Sequence, residues 1–279
     1  MVDKKIPIYI VDAFTDEKFK GNPAAVCLLN QRLDEGVMQK IAAEMNLSET
    51  AFLTSIEGKP ISESKNFSLR WFTPKVEVPL CGHATLATSA ILFNEVGLSS
   101  EEVSYETKSG TLTAKKVEEG ILLNFPSNEP EPIDPPMELL KAMGISEFED
   151  VALAKNAKKL LVHLKNEETV RNLQPNFEKM MRATTKENII GVIATSEGSP
   201  PYDFVSRFFA PWVGINEDPV TGAAHTVLTP YWSKMLNKQK MTAYQASERG
   251  GKLIVSLDPD NRVDLIGDVV IVSKGELYL

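Results

Sequence analysis

Cysteine is scarce: the 279-residue chain has only Cys27 and Cys81, so neither a disulfide framework nor a Cys-x-x-Cys pair is available. Histidine is equally thin, with His83, His163 and His225 far apart. The chain lacks HExxH, GxxxxGK, GxGxxG and GxSxG patterns. Zinc, P-loop, dinucleotide and nucleophile-elbow chemistries therefore have no local support, and no metal is expected. Basic charge is short as well. Lys plus Arg is 30 against 38 Asp plus Glu, a net charge of −8. A nucleic-acid partner needs a cationic surplus to displace counterions from phosphate, so none is expected. No apolar run nears the ~18 residues that a membrane-spanning helix needs, so no membrane partner is expected either. Near the N-terminus, Lys4 and Lys5 lead only into Ile6–Val11. That run falls below the ~7 apolar residues of a secretory core, and it reads as the first strand of a cytoplasmic protein.

What is present is an ordinary globular balance, 43% hydrophobic and 24% charged, with enough apolar mass for real cores. At about 150 residues per domain the length favours two domains. Strand-length apolar runs recur at Ile6–Val11, Ala24–Leu29, Ala51–Ser55, Phe67–Phe72, Ile121–Phe125, Leu160–Leu164, Ile189–Thr195, Phe204–Phe209, Leu253–Leu257 and Val269–Val272. Leu33, Val37, Ile41 and Met45 fall at intervals of four, one stripe of a helix. Ala84–Phe93 and Ala223–Leu236 are apolar on most sides and predict buried helices. Strands dominate without regular alternation, which predicts α+β rather than doubly wound α/β. Five prolines between Pro126 and Pro136 exclude a helix or central strand there. We read 126–136 as a linker between domains 1–125 and 137–266.

An internal repeat underlies this division. Arg70-Trp71-Phe72-Thr73-Pro74 resembles Arg207-Phe208-Phe209-Ala210-Pro211. Each copy leads to a glycine that opens a buried helix, Gly82 and Gly222, and their spacing is 222 − 82 = 140. Ala51–Ser55 matches Val192–Ser196 upstream. Two copies of one fold are therefore expected. Free amides and the macrodipole make a helix start attractive to anions, and glycine permits close approach. Should the halves face each other, both starts converge on one cleft suited to a carboxylate substrate or a developing enolate.

The chain resembles the PhzF family, named for phenazine biosynthesis, within the diaminopimelate-epimerase-like fold. The likeness is carried by Asp12-Ala13-Phe14, Phe19–Val26, Leu47-Ser48-Glu49-Thr50-Ala51-Phe52 and Arg70–Pro74. It continues in Cys81-Gly82-His83-Ala84-Thr85, Glu217–Gly222 and Gln245–Gly251. The resemblance implies two pseudo-symmetric α+β domains, each a β-barrel-like sheet around a central helix. It also implies that the C-terminal segment, about 267–279, packs on the first domain. It implies an isomerase without metal or organic cofactor, a small-molecule carboxylate substrate and a homodimer. The family's reaction is a proton shift in a dihydro-hydroxyanthranilate. Its acid/base carboxylate falls on Glu49, its helix-start histidine on His83 and its second-domain aspartate on Asp218.

Read by themselves, these residues have plainer roles. Glu49 fits a solvated turn or a cap beside Ser48. Asp218 before Pro219 fits an N-cap with proline at the first helical position. His83 fits a satisfied helix-start side chain, while His163 and His225 read as structural. Asn22 orients substrate or makes a turn. Arg70 and Arg207 are scaffolding or a carboxylate clamp. Gly82, Thr221 and Gly222 are the best anion contacts. Epimerases of this architecture use one cysteine at each helix start. Here Asp218-Pro219 stands where the second belongs, and Cys27 reads as a core thiol. A Cys81-dependent racemase and a non-catalytic binding protein are the rival readings. Ala223 replaces a serine that contacts substrate in active members, which puts turnover of the phenazine precursor in doubt.

Overall fold

The computed structural model describes residues 5–279. Lys4 and the other first positions of domain 1–125 lie outside the described residues. The chain divides into two compact units. One holds the chain through Asn124 together with Ile266–Leu279, and the other holds Phe125–Leu265.

In the first unit the strands are β1 (Lys5–Ala13), β2 (Asn22–Leu29), β3 (Glu49–Ser55), β4 (Asn66–Phe72), β5 (Glu77–Val78), β6 (Glu102–Thr107), β7 (Gly110–Val117) and β8 (Gly120–Pro126). Helix α1 (Glu35–Met45) carries the chain between β2 and β3, and α2 (Gly82–Ala90) carries it between β5 and β6. Asp34 caps α1 by accepting from the Gly36 amide, and Asn46 ends it in the left-handed region at φ 49°. β1 pairs antiparallel with β2 and with the final strand, Val269–Tyr278. β2 runs parallel to β3, and β4 runs parallel to β6. Parallel neighbours need a long crossover, and α1 and α2 supply one each. β2 is buried almost throughout, so it reads as an unbroken apolar run rather than an alternating one.

Helix α2 is made of small residues, Gly-His-Ala-Thr-Leu-Ala-Thr-Ser-Ala, and every residue after Gly82 is buried. It lies against β1, β2 and β3. Its hydroxyls are satisfied within the helix. Thr85, Thr88 and Ser89 donate to the carbonyls of Cys81, Ala84 and Thr85 at 2.6, 2.7 and 2.8 Å. Burying them therefore leaves no lost donor.

The second unit contains β9 (Glu131–Pro132), α3 (Met137–Ala142), β10 (Asp150–Ala154), β11 (Lys159–His163), α4 (Glu167–Arg171), α5 (Phe177–Arg182), β12 (Gly191–Glu197) and β13 (Phe204–Ala210). It continues with β14 (Ile215–Asp218), α6 (Gly222–Leu236), β15 (Lys240–Gln245), β16 (Gly251–Leu257) and β17 (Arg262–Gly267). Within the proline-rich segment, β9 pairs with β10. Pro230 lies inside α6. Having no N–H, it frees the Thr226 carbonyl one turn earlier, and the Asn128 amide takes that carbonyl at 3.0 Å. Trp232, on the same helix, stacks on Phe204 and donates to Thr195 Oγ1 at 2.9 Å.

The two units share one order of pairings. β1–β2 and β10–β11 are antiparallel; β2–β3 and β11–β12 are parallel. Next, β3–β4 and β12–β13 are antiparallel, as are β4–β5 and β13–β14. Finally β4–β6 and β13–β15 are parallel, and β6–β7 and β15–β16 antiparallel. The pseudo-symmetric α+β architecture read from the repeat is the one present, with α2 and α6 at equivalent places. Helices occur chiefly where a parallel pair demands a crossover, which is why they do not alternate with every strand.

Candidate active site

At the first helix start the chain is placed by an arginine fork. Arg70 on β4 donates from Nε and Nη2 to the two carboxylate oxygens of Glu77 on β5, at 2.7 and 2.6 Å. Lys108 also reaches Glu77. This holds β5 just before Cys81, the extended N-cap of α2. Opposite lies the beginning of β3, where Glu49 pairs in register with Ala24 of β2.

The structure brings three chemically distinct side chains together here. His83 Nε2 lies 3.2 Å from Glu49 Oε2, and His83 Nδ1 lies 3.5 Å from Cys81 Sγ. The Glu49 side chain is 12% exposed, so the solvated-turn reading is corrected: the parallel register with β2 takes the carboxylate indoors. His83 is buried, and burial lowers its pKa to about 4, with a backbone bond to Pro23 opposing the shift. The ring is neutral at neutral pH, so its contact with Glu49 is not an ion pair. That contact also lacks hydrogen-bond direction, and Nε2 has no hydrogen-bond partner. A carboxylate beside a neutral imidazole, at the amide-rich start of a buried helix, suits proton transfer to and from carbon in a small anion.

At the second helix start Arg207 makes the corresponding fork with Glu217 on β14, at 2.7 and 2.8 Å. Both arginines are thus committed to scaffolding. Asp218 does not cap α6, which corrects the N-cap reading. It ends β14, and the helix begins at Gly222 after Thr221, because Pro219 and Val220 carry the chain on in between. Asp218 instead accepts from Thr221 Oγ1 at 2.5 Å. Gln245 on β15 ties this corner together. Its Oε1 accepts from the Thr221 amide at 2.9 Å, and its Nε2 donates to the Asp218 carbonyl at 2.7 Å.

The spacing of 140 now fixes the correspondences. Cys81 matches Thr221, so a hydroxyl rather than Asp218-Pro219 stands where the second thiol belongs. His83 matches Ala223, and Thr85 matches His225. The last pair do the same job: Thr85 Oγ1 and His225 Nδ1 each bond to the N-cap carbonyl, at 2.6 and 2.8 Å. His225 is fully buried, and burial takes its pKa to about 4.

Both rings carry a pH signature. Each folded value lies below the ordinary 6.5, so the unfolded chain binds more protons as the pH falls from about 6.5 towards 4. Stability is therefore lost on acidification through that window, by roughly 1 kcal/mol per ring at pH 5.5. Urea unfolding at pH 7.5 and 5.5 measures it, and an unchanged midpoint refutes neutral burial.

The remaining residues fall into place more simply. Asn22 is not in a turn: it opens β2, fully buried and opposite Ala13. The preceding Gly21 takes the turn, with φ 63° and a Cβ position only 2.1 Å from the Ala13 carbonyl oxygen. Cys27 is a core thiol whose pKa burial pushes up to about 12. His163 bonds to the Tyr231 hydroxyl at 3.0 Å. Glu77, Glu217 and Gln245 are positioning residues that sequence reasoning missed. For the glutamates a signal existed, since 217 − 77 = 140 is the spacing of the two helix glycines. No helix among the described residues is long and apolar enough to cross a membrane.

A family model described as "Phenazine biosynthesis-like protein" matches residues 11–275. The mouse phenazine biosynthesis-like domain-containing protein 1 is 47% identical over 285 residues, covering 98% of this chain and 99% of that one. An uncharacterized isomerase of Halalkalibacterium halodurans is 48% identical over 276 residues, covering 98% of each. A crystal structure of a PhzF-family protein from Enterococcus faecalis has TM-score 0.90 and 45% identity, covering 99% of this chain and 100% of that one. At 10% identity and TM-score 0.58, a hydroxyproline epimerase from Agrobacterium vitis shares the fold. Matched by the family model over residues 11–275 and by these relatives over nearly its whole length, the chain belongs to the PhzF family of phenazine biosynthesis-like proteins.

Proposed function

We propose that this protein is a cofactor-independent isomerase that moves a proton within a small carboxylate-bearing substrate. The observation that carries this reading is the largely enclosed Glu49 carboxylate, 3.2 Å from a His83 ring that burial holds neutral. Glu49 takes the proton from one carbon and returns it to another. His83 positions the carboxylate and spares it a competing positive charge. The Gly82 amide and Asn22 are the substrate contacts proposed on the first unit, and Thr221 and the Gly222 amide those on the second. Asp218 joins the set through the family resemblance, and its bond to Thr221 fixes its carboxylate. The names of relatives as isomerases support the reaction class. Ala223 offers no hydroxyl, which favours a substrate other than the phenazine precursor.

A second reading, a racemase using Cys81, is favoured by the thiol's 3.5 Å approach to His83 Nδ1. Against it stands Thr221 in the place of a partner thiol. A purely binding role is disfavoured by the enclosure of Glu49. The test is turnover of a panel of small carboxylates in deuterium oxide, read by mass and NMR. Label is expected to enter a substrate carbon, and Cys81→Ala is expected to retain that exchange to within about tenfold. Loss of exchange in Cys81→Ala transfers the mechanism to the thiol; no labelling of any substrate removes the isomerase reading.

A further inference from the structure

We propose that the first unit carries a ligand site on the outer face of its sheet, separate from the candidate active site, for a zwitterionic α-amino acid with an apolar side chain. The internal repeat points to it. Arg70 and Arg207 are equivalent, and each forks onto a glutamate of the next strand. Their remaining nitrogens differ. Arg207 Nη1 donates to the carbonyls of Val170, Arg171 and Leu173, which close that side of the second unit. Arg70 gives Nε and Nη2 to Glu77 and Glu35, and no described residue offers Nη1 an oxygen. The contrast runs on across the strands. Ser68, two residues before Arg70, matches Val205, and its neighbour Glu106 on β6 matches Tyr244. Val205 is fully buried and Tyr244 packs on the second unit's core, whereas Ser68 is half-buried and Glu106 exposed. The face that the second unit covers with its own chain opens in the first as a cavity of about 270 Å³, lined by Arg70.

The lining offers three chemistries. Leu29, Leu33, Met38 and Phe52 make an apolar floor, Arg32 and Arg70 present guanidinium groups, and Glu106 supplies the one carboxylate of the lining. Neither Arg32 nor Glu106 has a partner among the described residues. Thr54 and Ser68, opposite each other in register, add two hydroxyls. A ligand carboxylate fits Arg32 and the free side of Arg70, where it stands in for the carbonyl oxygens that Arg207 receives from its own chain. An ammonium fits Glu106, and an aliphatic side chain fits the floor. A ligand of one sign only would leave Arg32 or Glu106 unanswered, which is why both charges are required. Phe52 and Thr54 are even positions of β3 and face away from Glu49, an odd position whose carboxylate meets His83 on the other side of the sheet. The inference therefore does not rest on the isomerase reading.

The experiment is titration of the isotope-labelled full chain with L-leucine, followed by amide NMR. Leucine is expected to bind with a Kd in the millimolar range or tighter and to shift the amides of Thr54, Ser68 and Glu106 in one saturable process. Arg32→Gln and Glu106→Gln change exposed side chains, and each is expected to weaken leucine binding at least about tenfold, one charge-assisted contact being lost per variant. Two fragments separate the contacts. Isocaproate, which is leucine without its ammonium group, is expected to bind more weakly than leucine and not to be weakened further by Glu106→Gln. Isoamylamine, which is leucine without its carboxylate, is expected to bind more weakly than leucine and not to be weakened further by Arg32→Gln. No saturable shift at these amides below about 10 mM leucine, shifts confined to the Gly82 corner, or a leucine affinity unchanged in either variant overturns the proposal.

Discussion

Glu49→Gln is expected to reduce proton exchange into substrate by about 10²–10⁴-fold, the span that a positioned general acid or base contributes. The change is nearly isosteric. The amide keeps the size of the side chain at the first position of β3, opposite Ala24, so the strand pairing that places it has no reason to shift. What disappears is the ability to hold a proton. His83, 3.2 Å away, does not replace it, because burial keeps its pKa at about 4 and makes it a weak base at neutral pH. Substrate binding should change far less than turnover, because the Gly82 and Gly222 amides are backbone groups. The decisive comparison is exchange rate against binding affinity for wild type and Glu49→Gln. Undiminished exchange in the variant removes Glu49 from the mechanism, whatever the family relationship.

Arg207→Met is expected to cost about 3–5 kcal/mol of stability, the usual consequence of removing one partner from a buried pair. The guanidinium does more than pair with Glu217. Its Nη1 also donates to the carbonyls of Val170, Arg171 and Leu173, at 3.3, 3.0 and 2.8 Å. Methionine fills much of the same volume but offers none of these donors, so the carboxylate and the Arg171 and Leu173 carbonyls lose the guanidinium at once, while the Val170 carbonyl keeps the Leu173 amide. Arg70→Met is the internal control. Arg70 serves Glu77 and the largely exposed Glu35, and Glu77 keeps Lys108 when the arginine goes. Its loss should cost about 1–2 kcal/mol. Urea unfolding of both variants at pH 7 measures the difference, and equal costs would show that the carbonyl cluster contributes nothing.

Much of the framework was legible because it is written in local patterns. Runs such as Ala24–Leu29 and Phe204–Phe209 are largely apolar at strand length, and Ala84–Phe93 is apolar on most sides, so the pattern alone predicts their burial. The strands β6, β7, β10, β15 and β17 were not seen, nor were the short β5, β9 and β14. In β7 only Leu112 and Ala114 are buried, between threonines and lysines, which leaves two points of a period-two pattern and nothing to separate it from a loop. Helices α3, α4 and α5 are one turn or slightly more, too short for a 3.6-residue period to register. Within the site, Glu49 and His83 were found through family resemblance, since neither has a local pattern that distinguishes it from a turn or a cap. Asp218 was misjudged as a cap because Asp-Pro is a common helix opening; the helix waits for Gly222, where Gln245 takes the free Thr221 amide. Gln245 was noted only as part of the Gln245–Gly251 motif, and its role had no sequence signal, because its burial depends on the parallel pairing that sets it opposite Ser206.

The first and last strands of the first unit, its most distant parts along the chain, pair with each other, with Lys5 opposite Tyr278 and Ala13 opposite Val269. During synthesis β1 emerges early and must wait, its free edge unguarded, while every residue of the second unit is made. The pairings that join β9 through β16 meet no such delay, since they all lie within Phe125–Leu265. Order of assembly is thereby reversed relative to order of translation: the part encoded later matures sooner, and the Glu49–His83 half is sealed only when the ribosome has delivered the closing strand.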